Sequence, residues 1–455
     1  MATTNTTGTA VQDGTGHADI GHDDYSLRRV PDGARYSWGS VAVQRFGQVS
    51  ALSQFLLGAT LGVGMKFWPA VLAITLGAVI LEVVAIFVGI AGMREGLSTS
   101  LLARWSGFGR YGSALIGLII TISLVGWFGI QNAVFASGLV TLIGGPPLWL
   151  WSVITGLLVT GIVIYGFTSM TWTAYVTVPL FIGLCVWSIG KELTKHSLGA
   201  LVSSAPPGVH LTLAAATTLV AGGFIVGAVI TPDMTRYNRS VGDVVKQTVV
   251  GITLGEYCIG LIGVLLAHAV GSDNVLTIVY STSGAVGTVI LIAATLKIND
   301  WNLYSSSLGF VNLADQVFRR KLGRGTSTLV IGVIGTILSA AGILNHFTGF
   351  LETLGVAIPP IAGIMMAEYF IVRRWRPVLA AGRADGTIPA SVPSWVPATL
   401  VVWVAASLIG EYVHWGIPAL NALVVSVVGY VAAGQLGLTK GFGQDSGKAE
   451  ACASA

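Results

Sequence analysis

The sequence predicts an all-α polytopic membrane protein with twelve transmembrane helices. Three observations lead there. Of the 455 residues, 53% are hydrophobic and only 10% charged, whereas soluble domains carry about a quarter charged residues. Apolar stretches of about 20 residues, each enough to cross a hydrocarbon core of about 30 Å, recur along most of the chain. The loops that these stretches define differ sharply in positive charge, as the two sides of a membrane protein do.

Taken in order, residues 1–40 are polar, hold Asp23, Asp24, Arg28 and Arg29, and contain no apolar run. They read as a flexible cytosolic tail without a cleavable signal. The membrane segments are predicted near 41–66, 67–93, 113–140, 149–168, 169–190, 212–232, 244–270, 283–313, 327–346, 348–372, 393–411 and 415–435. The first five form one group (41–190) and the next five a second (212–372). A final pair (393–435) precedes a cytosolic tail (436–455).

With the N-terminus inside, 19 of the 24 Lys and Arg fall in inside segments, among them Arg94, Arg236, Arg319, Arg320, Lys321 and Arg374. The outside loops hold only Lys191 and Lys195, while Arg45, Lys66 and Lys297 lie within segments. Both termini are therefore predicted in the cytoplasm of a cell with the protein in its inner (plasma) membrane. The net charge of +4 is scattered, which excludes nucleic acid as a partner; membrane lipid is the expected surrounding, with no obligate protein partner. Cys185, Cys258 and Cys452 have neither paired nor metal-like spacing. The histidines are dispersed, so no catalytic or metal-ligating residue is predicted, which tells against a membrane-embedded enzyme. A channel is disfavoured because repeated pore motifs and charged rings are missing.

Two segments are predicted to be interrupted. Gly47, Ser50, Ser53, Gly58, Gly62 and Gly64 punctuate the first, and Gly222-Gly223-Phe224 sits near the middle of the sixth. Glycine costs about 1 kcal/mol relative to alanine inside a helix. Interrupted helices at matching positions of two repeats point to a transporter binding site; close helix packing is the competing explanation. Pro359-Pro360 breaks the tenth segment in the manner of a hinge.

Several stretches resemble the nucleobase-cation symporter family, of the purine-cytosine permease type. They are Thr60-Leu61-Gly62-Val63-Gly64, Gly96-Leu97-Ser98, Gly126-Trp127-Phe128-Gly129, Asp233-Met234-Thr235-Arg236-Tyr237, Asn299-Asp300, Leu303-Tyr304-Ser305 and Ala357-Ile358-Pro359-Pro360. The resemblance implies a leucine-transporter-like fold, two inverted five-helix repeats plus two helices, and cation symport of a nucleobase or similar planar heterocycle.

Such a ring needs an aromatic face and polar groups that read its edge; stacking is worth about 1–3 kcal/mol per base. Trp127 lies near the centre of the third segment, away from the interfacial belts, and Gln131 follows one turn later. By resemblance the first stacks on substrate and the second contacts its edge. The resemblance also assigns Phe224 the opposite face, with Gly223 and Ala51 beside it. Asn302 reads the edge, and Asn299 supports it. Core packing or interhelical hydrogen bonding competes at each of these positions. Leu124, Gly223, Val226 and Ala294 depart from the cytosine permeases, which implies a pocket closer to purine and hydantoin members.

In sodium-driven relatives, carbonyls at the first-helix bend and hydroxyls on the eighth helix hold one sodium. Gly47 and Ser50 match the first side, but the hydroxyl pair is Lys297-Ile298 here. Lys297 is therefore expected to stand in for sodium, with Asp300 as its partner one turn on. No cofactor is expected; the proton is the favoured coupling ion and sodium the alternative. Glu82 and Glu256 fall mid-membrane with no partner evident, and Glu368 is expected at a solvated helix end.

Overall fold

The computed structural model describes Tyr25 and residues 28–165, 168–318, 322–389, 391–413 and 415–446. The helices that matter here are α1 (Trp38–Val49), α2 (Leu52–Gly64), α3 (Phe67–Glu95), α4 (Gly109–Ile143), α5 (Leu148–Tyr165), α6 (Thr168–Leu193) and α7 (Leu213–Val229). They continue with α8 (Val241–Val270), α9 (Val275–Phe318), α10 (Arg324–Ala340), α11 (Phe347–Ala357), α12 (Pro359–Met366), α13 (Pro397–Tyr412) and α14 (Pro418–Gln435). Each predicted segment lies on one of these or on a pair. By length and apolarity, seven spans qualify among the described residues, or eight if bent α1–α2 counts as one; α5, α10 and α13 are apolar but shorter. Large apolar side chains such as Ile122, Val286, Val401 and Val428 stand more than half exposed on outer faces. In water these would be a liability; against lipid they are the expected surface.

The helix ends follow local chemistry. Ser240 and Asp243 form a reciprocal capping box at the start of α8, and Gly271, at φ 73°, closes its end. α1 and α2 both lie along α8, and α3 packs on α7 and α8. Elsewhere α4 runs along α9, α5 packs on α10, and α11 packs on α7. Glycines make the close approaches possible: a Cβ at Gly58 would lie 2.1 Å from the Gly260 carbonyl oxygen, and one at Gly255 2.5 Å from Val49 Cβ.

The first segment is broken, as predicted, with a bend of 53° between α1 and α2. The break falls at Ser50 and Ala51, however, and Gly58, Gly62 and Gly64 lie in regular helix, where the first two serve packing against α8. The sixth segment departs from expectation. α7 passes unbroken through Gly222-Gly223 and ends only at Val229, before the short helix Pro232–Thr235. A Cβ at Gly222 would lie 1.9 Å from the Leu351 carbonyl oxygen, so this glycine lets α11 approach and is not a point of unwinding. At Pro359-Pro360 the chain restarts as α12 after Ile358, which keeps helical angles.

Four further differences emerge. The chain is not purely helical: β1 (Ser391–Trp395) pairs antiparallel with β2 (Phe442–Ser446), so part of the expected C-terminal tail is ordered structure. α9 begins eight residues before its predicted start and kinks at Gly284, where φ is 62°. Glu368 is buried, not solvated: Tyr430 Oη donates to Oε2 at 3.1 Å and the Trp375 N–H to Oε1 at 3.1 Å. Finally, part of the expected flexible leader is docked. Arg29 Nη1 pairs with Glu95 Oε2 at 3.0 Å, and its Nε and Nη2 donate to Thr387 O and Leu379 O. Burial pushes the Arg29 guanidinium below its usual pKa, opposed by the neighbouring Glu95 carboxylate. Glu95, which the sequence did not single out, also accepts from Tyr369 Oη at 2.7 Å and Arg383 Nη1 at 3.0 Å. Residues 1–24, Arg319, Arg320, Lys321, Lys448 and Cys452 lie outside the described residues.

Candidate functional site

On α4, Trp127 is 7% exposed and meets two aromatic rings edge-to-face, Phe350 at 5.4 Å and Phe347 at 6.1 Å between centroids. A Cβ on the preceding Gly126 would fall 2.5 Å from the Phe350 ring, so that glycine is what seats Phe350 beside the indole. One turn on, Gln131 is buried and its Oε1 has no hydrogen-bond partner. The adjacent Asn132 differs: its Nδ2 donates to Ser152 O and Ser339 Oγ, tying α4 to α5 and α10. Asn132 ties helices through its Nδ2, while its Oδ1, like Gln131 Oε1, is buried without a partner.

At the bend of the first span, the Ala51 N–H turns back to Val49 O at 2.8 Å. It therefore does not bond the carbonyl of Gly47, which drops out of the i+4 ladder. Ser50 is buried with its Oγ unpartnered, Ala51 is buried, and a Cβ at Gly47 would meet nothing within 4 Å.

α9 carries the densest polar group. Asn299 is fully buried and neither of its amide atoms has a partner; Asp300 Oδ1 and Asn302 Nδ2 are likewise buried and unpartnered. Asn299 and Asn302 are one turn apart and share a face. Lys297 is half-buried. The expected Lys297–Asp300 ion pair is not formed: no direct salt bridge joins them among the described residues.

Ser50, Gln131, Asn299, Asp300 and Asn302 thus all present buried polar atoms without partners. Native proteins leave few such atoms, because each costs about 1–3 kcal/mol in lost solvation. They lie on α4, α9 and the first-span bend, with α4 packed along α9, and further buried atoms without partners, such as Asn132 Oδ1 and Ser152 Oγ, lie beside them in the chain or on the adjoining α5.

On α7, Gly223 approaches Leu57 Cδ2, and half-buried Phe224 folds back over Gly227, where a Cβ would fall 2.5 Å from the ring. No ring contact joins Phe224 to Trp127; both aromatic partners of Trp127 come from α11. Phe347 and Phe350 were not read from the sequence, where nothing but the Gly126-Trp127 notch hints at a ring partner. The guanidinium of Arg45, fully buried, lies 5.8 Å from the Phe224 ring.

The two mid-span carboxyls acquire partners in the structure. Gln54 Nε2 donates to Glu256 Oε2 at 2.5 Å, and Thr253 Oγ1 donates to Glu82 Oε1 at 2.5 Å. A hydrogen bond between Thr75 and Tyr257 runs beside them, so α2, α3 and α8 are laced by polar contacts. A separate cavity of about 420 Å³ lies at the end of α4, lined by Ser137, Thr141, Asn274, Thr277 and Tyr280; it contains none of the predicted site residues. No cluster of three or more metal-binding side chains occurs among the described residues.

Residues 35–410 match the model of a family described as permeases for cytosine/purines, uracil, thiamine and allantoin. The cytosine permease of Escherichia coli K12 is 29% identical over 417 residues, covering 90% of this chain and 94% of that protein. The hydantoin permease of Microbacterium maritypicum is 28% identical, covering 74% and 73% respectively. Among solved structures, the inward-facing conformation of Mhp1 superposes with a TM-score of 0.76 at 21% identity, covering 90% of this chain and 92% of that one. The fold is thus that of a membrane transporter, and the relatives are permeases, not enzymes. With the match spanning most of its length, this chain belongs to the cytosine/purine, uracil, thiamine and allantoin permease family.

Proposed function

We propose that this protein imports a nucleobase or nucleobase-like planar heterocycle, of purine, pyrimidine or hydantoin type, by cation symport with alternating access. The observation that carries this reading is the coincidence of a central tryptophan with five residues bearing unpartnered buried polar atoms, on helices that pack together. Trp127 offers the stacking face, Phe224 the opposing wall with Gly223 and Ala51 beside it, and Gln131, Asn299 and Asn302 the edge contacts. The permease names of the relatives, for cytosine and hydantoin, support the substrate class.

Helix pairing supports two repeats over 41–190 and 212–372. Exchanging the first five segments with the second five maps the α1/α2–α8 pair onto α7–α3, and maps α4–α9 and α5–α10 onto themselves. The positive-charge asymmetry supports a plasma-membrane protein with both termini cytoplasmic.

The coupling ion in this reading is the proton. Lys297 occupies the α9 position where a hydroxyl would hold sodium, and Gly47 and Ser50 supply the first-span side. A half-buried ammonium without a direct carboxylate partner suits a group that takes and releases a proton or substitutes as a fixed charge. Sodium-coupled uptake of cytosine is the second reading, favoured by the cytosine permease likeness and by the freed Gly47 carbonyl.

The test uses purified protein in liposomes with a panel of cytosine, hypoxanthine, hydantoin and allantoin. Saturable uptake of at least one of them, driven by an imposed proton gradient without sodium, is expected. Uptake that requires sodium overturns the proton reading, and no uptake of any of them overturns the substrate class.

A further inference from the structure

Arg45 is a fully buried cation on the cytoplasmic half of the first span, and no carboxylate pairs with it among the described residues. Burying an unpaired charge is expensive, so the protein must compensate it otherwise. It does so at the end of α7. Arg45 Nη1 donates to Gly227 O at 3.0 Å and Nη2 to Thr231 Oγ1 at 2.9 Å. The Gly227 carbonyl is available because the helix stops there: the Thr231 N–H bonds Ala228 O instead. A cation at this terminus also meets the negative end of the helix dipole. The guanidinium is thereby held 5.8 Å from the Phe224 ring. That ring also lies against Gly227, where a Cβ would fall 2.5 Å from ring Cζ. Phe224 therefore packs against a bare glycine and lies within reach of a guanidinium that is anchored to the same glycine's carbonyl. The stem of Arg45 is itself seated, with Cγ only 2.5 Å from where a Cβ on Gly251 would be.

We infer that Arg45 is a positioning residue for Phe224: it fixes the plane of that ring against the end of α7 and so sets the apparent affinity for the transported heterocycle. This rests on Phe224 lining the substrate site, as proposed above. A fork with two donors on one helix end and a face over an aromatic ring is a task for arginine; lysine supplies charge but no plane. Truncation would free the ring to change rotamer and would leave the Gly227 carbonyl only the Thr231 hydroxyl, at 3.3 Å, while the reorientation of the bundle would proceed unchanged.

The experiment measures KM and Vmax for the panel compound that the unmodified protein takes up fastest, in liposomes, normalised to inserted protein. Arg45→Gln should raise KM about tenfold, the loss expected of a desolvated cation–aromatic contact, with Vmax within about twofold. Arg45→Lys should fall between the two. In a Phe224→Leu background, Arg45→Gln should add less than about twofold, because the ring it positions is gone. A merely structural arginine would lower Vmax or inserted amount with KM constant, and that result overturns the inference. So do effects of Arg45→Gln and Phe224→Leu on KM that multiply independently. Should Arg45→Gln fail to insert, an unchanged KM in Arg45→Lys overturns it and a raised KM supports it. A silent unmodified protein, or a Phe224→Leu variant with unaltered KM, instead removes the site reading on which the inference rests.

Discussion

The side-chain amide of Gln54 donates to the carboxyl of Glu256 at 2.5 Å, joining the helix just past the first-span bend to the middle of α8. Glu256 is fully buried and its other oxygen, Oε1, has no partner. This contact supports a prediction about stability. Glu256→Leu should leave the Gln54 amide only the long contact to the residue-256 backbone oxygen, at 3.5 Å, and lower stability by about 1–3 kcal/mol, read as reduced thermal melting in detergent. Glu256→Gln keeps an acceptor oxygen in place and should melt near the unmodified protein. Equal melting of the leucine and glutamine variants would show that the hydrogen bond contributes nothing.

Trp127→Ala should abolish binding of the transported heterocycle while membrane insertion is retained, since one ring face loses its partner. Trp127→Phe should bind with intermediate affinity. Binding by ligand-induced thermal stabilisation separates the outcomes, and an alanine variant that binds normally would remove Trp127 from the site.

Gln131→Ala and Asn302→Ala should each weaken binding by about 1–3 kcal/mol through an unmet polar partner on the substrate. An analogue lacking the matching heteroatom should bind parent and variant almost equally. Retention of the parent's selectivity in both variants would rule out edge reading by these amides.

Lys297→Ala should uncouple or abolish transport, so that gradient-driven accumulation disappears. Accumulation ratios measured with and without a proton gradient decide this. A variant that still accumulates substrate against its gradient excludes Lys297 from coupling.

Neighbouring glycines should respond very differently to one methyl group. Gly222→Ala places Cβ 1.9 Å from a backbone oxygen of Leu351, and no rotamer relieves that. It should destabilise the α7–α11 contact by about 1–3 kcal/mol. Gly223→Ala meets only Leu57 Cδ2, at 3.1 Å, a movable methyl, and should be tolerated in thermal melting. Comparable losses from both would show that α7 and α11 are not held at this distance.

These contrasts explain what could be read from the sequence. Hydropathy and charge asymmetry carried the helices, because a bilayer imposes length and sidedness on each segment independently. The bend at Ser50-Ala51 was legible as an interrupted apolar stretch. The Gly222-Gly223 doublet was misread because cheap unwinding and close approach need the same residue, and only the neighbour, Leu351, distinguishes them. Gln131, Asn299 and Asn302 stood out as amides at membrane depth, and their unpartnered atoms agree with that. The aromatic neighbours Phe347 and Phe350, and the Tyr430 that buries Glu368, come from segments far along the chain. No local pattern announces such contacts. The failure of Lys297 and Asp300 to pair has the same origin, since spacing gives a shared face but not a side-chain direction.

The bend in the first span has a mechanical consequence. α1 and α2 diverge by 53°, yet both lean on the same rod. Gly251 and Gly255 of α8 receive Arg45 and Val49 from one arm, and Gly260 and Gly263 receive Gly58 and Phe55 from the other. Contacts this tight leave the elbow no slack to flex, because opening either arm would pull backbone from a glycine seat. The elbow is a bracket and not a joint: load applied to α1 passes through α8 to α2, so the first span turns with α8 as one lever and any pivot must lie at the lever's ends.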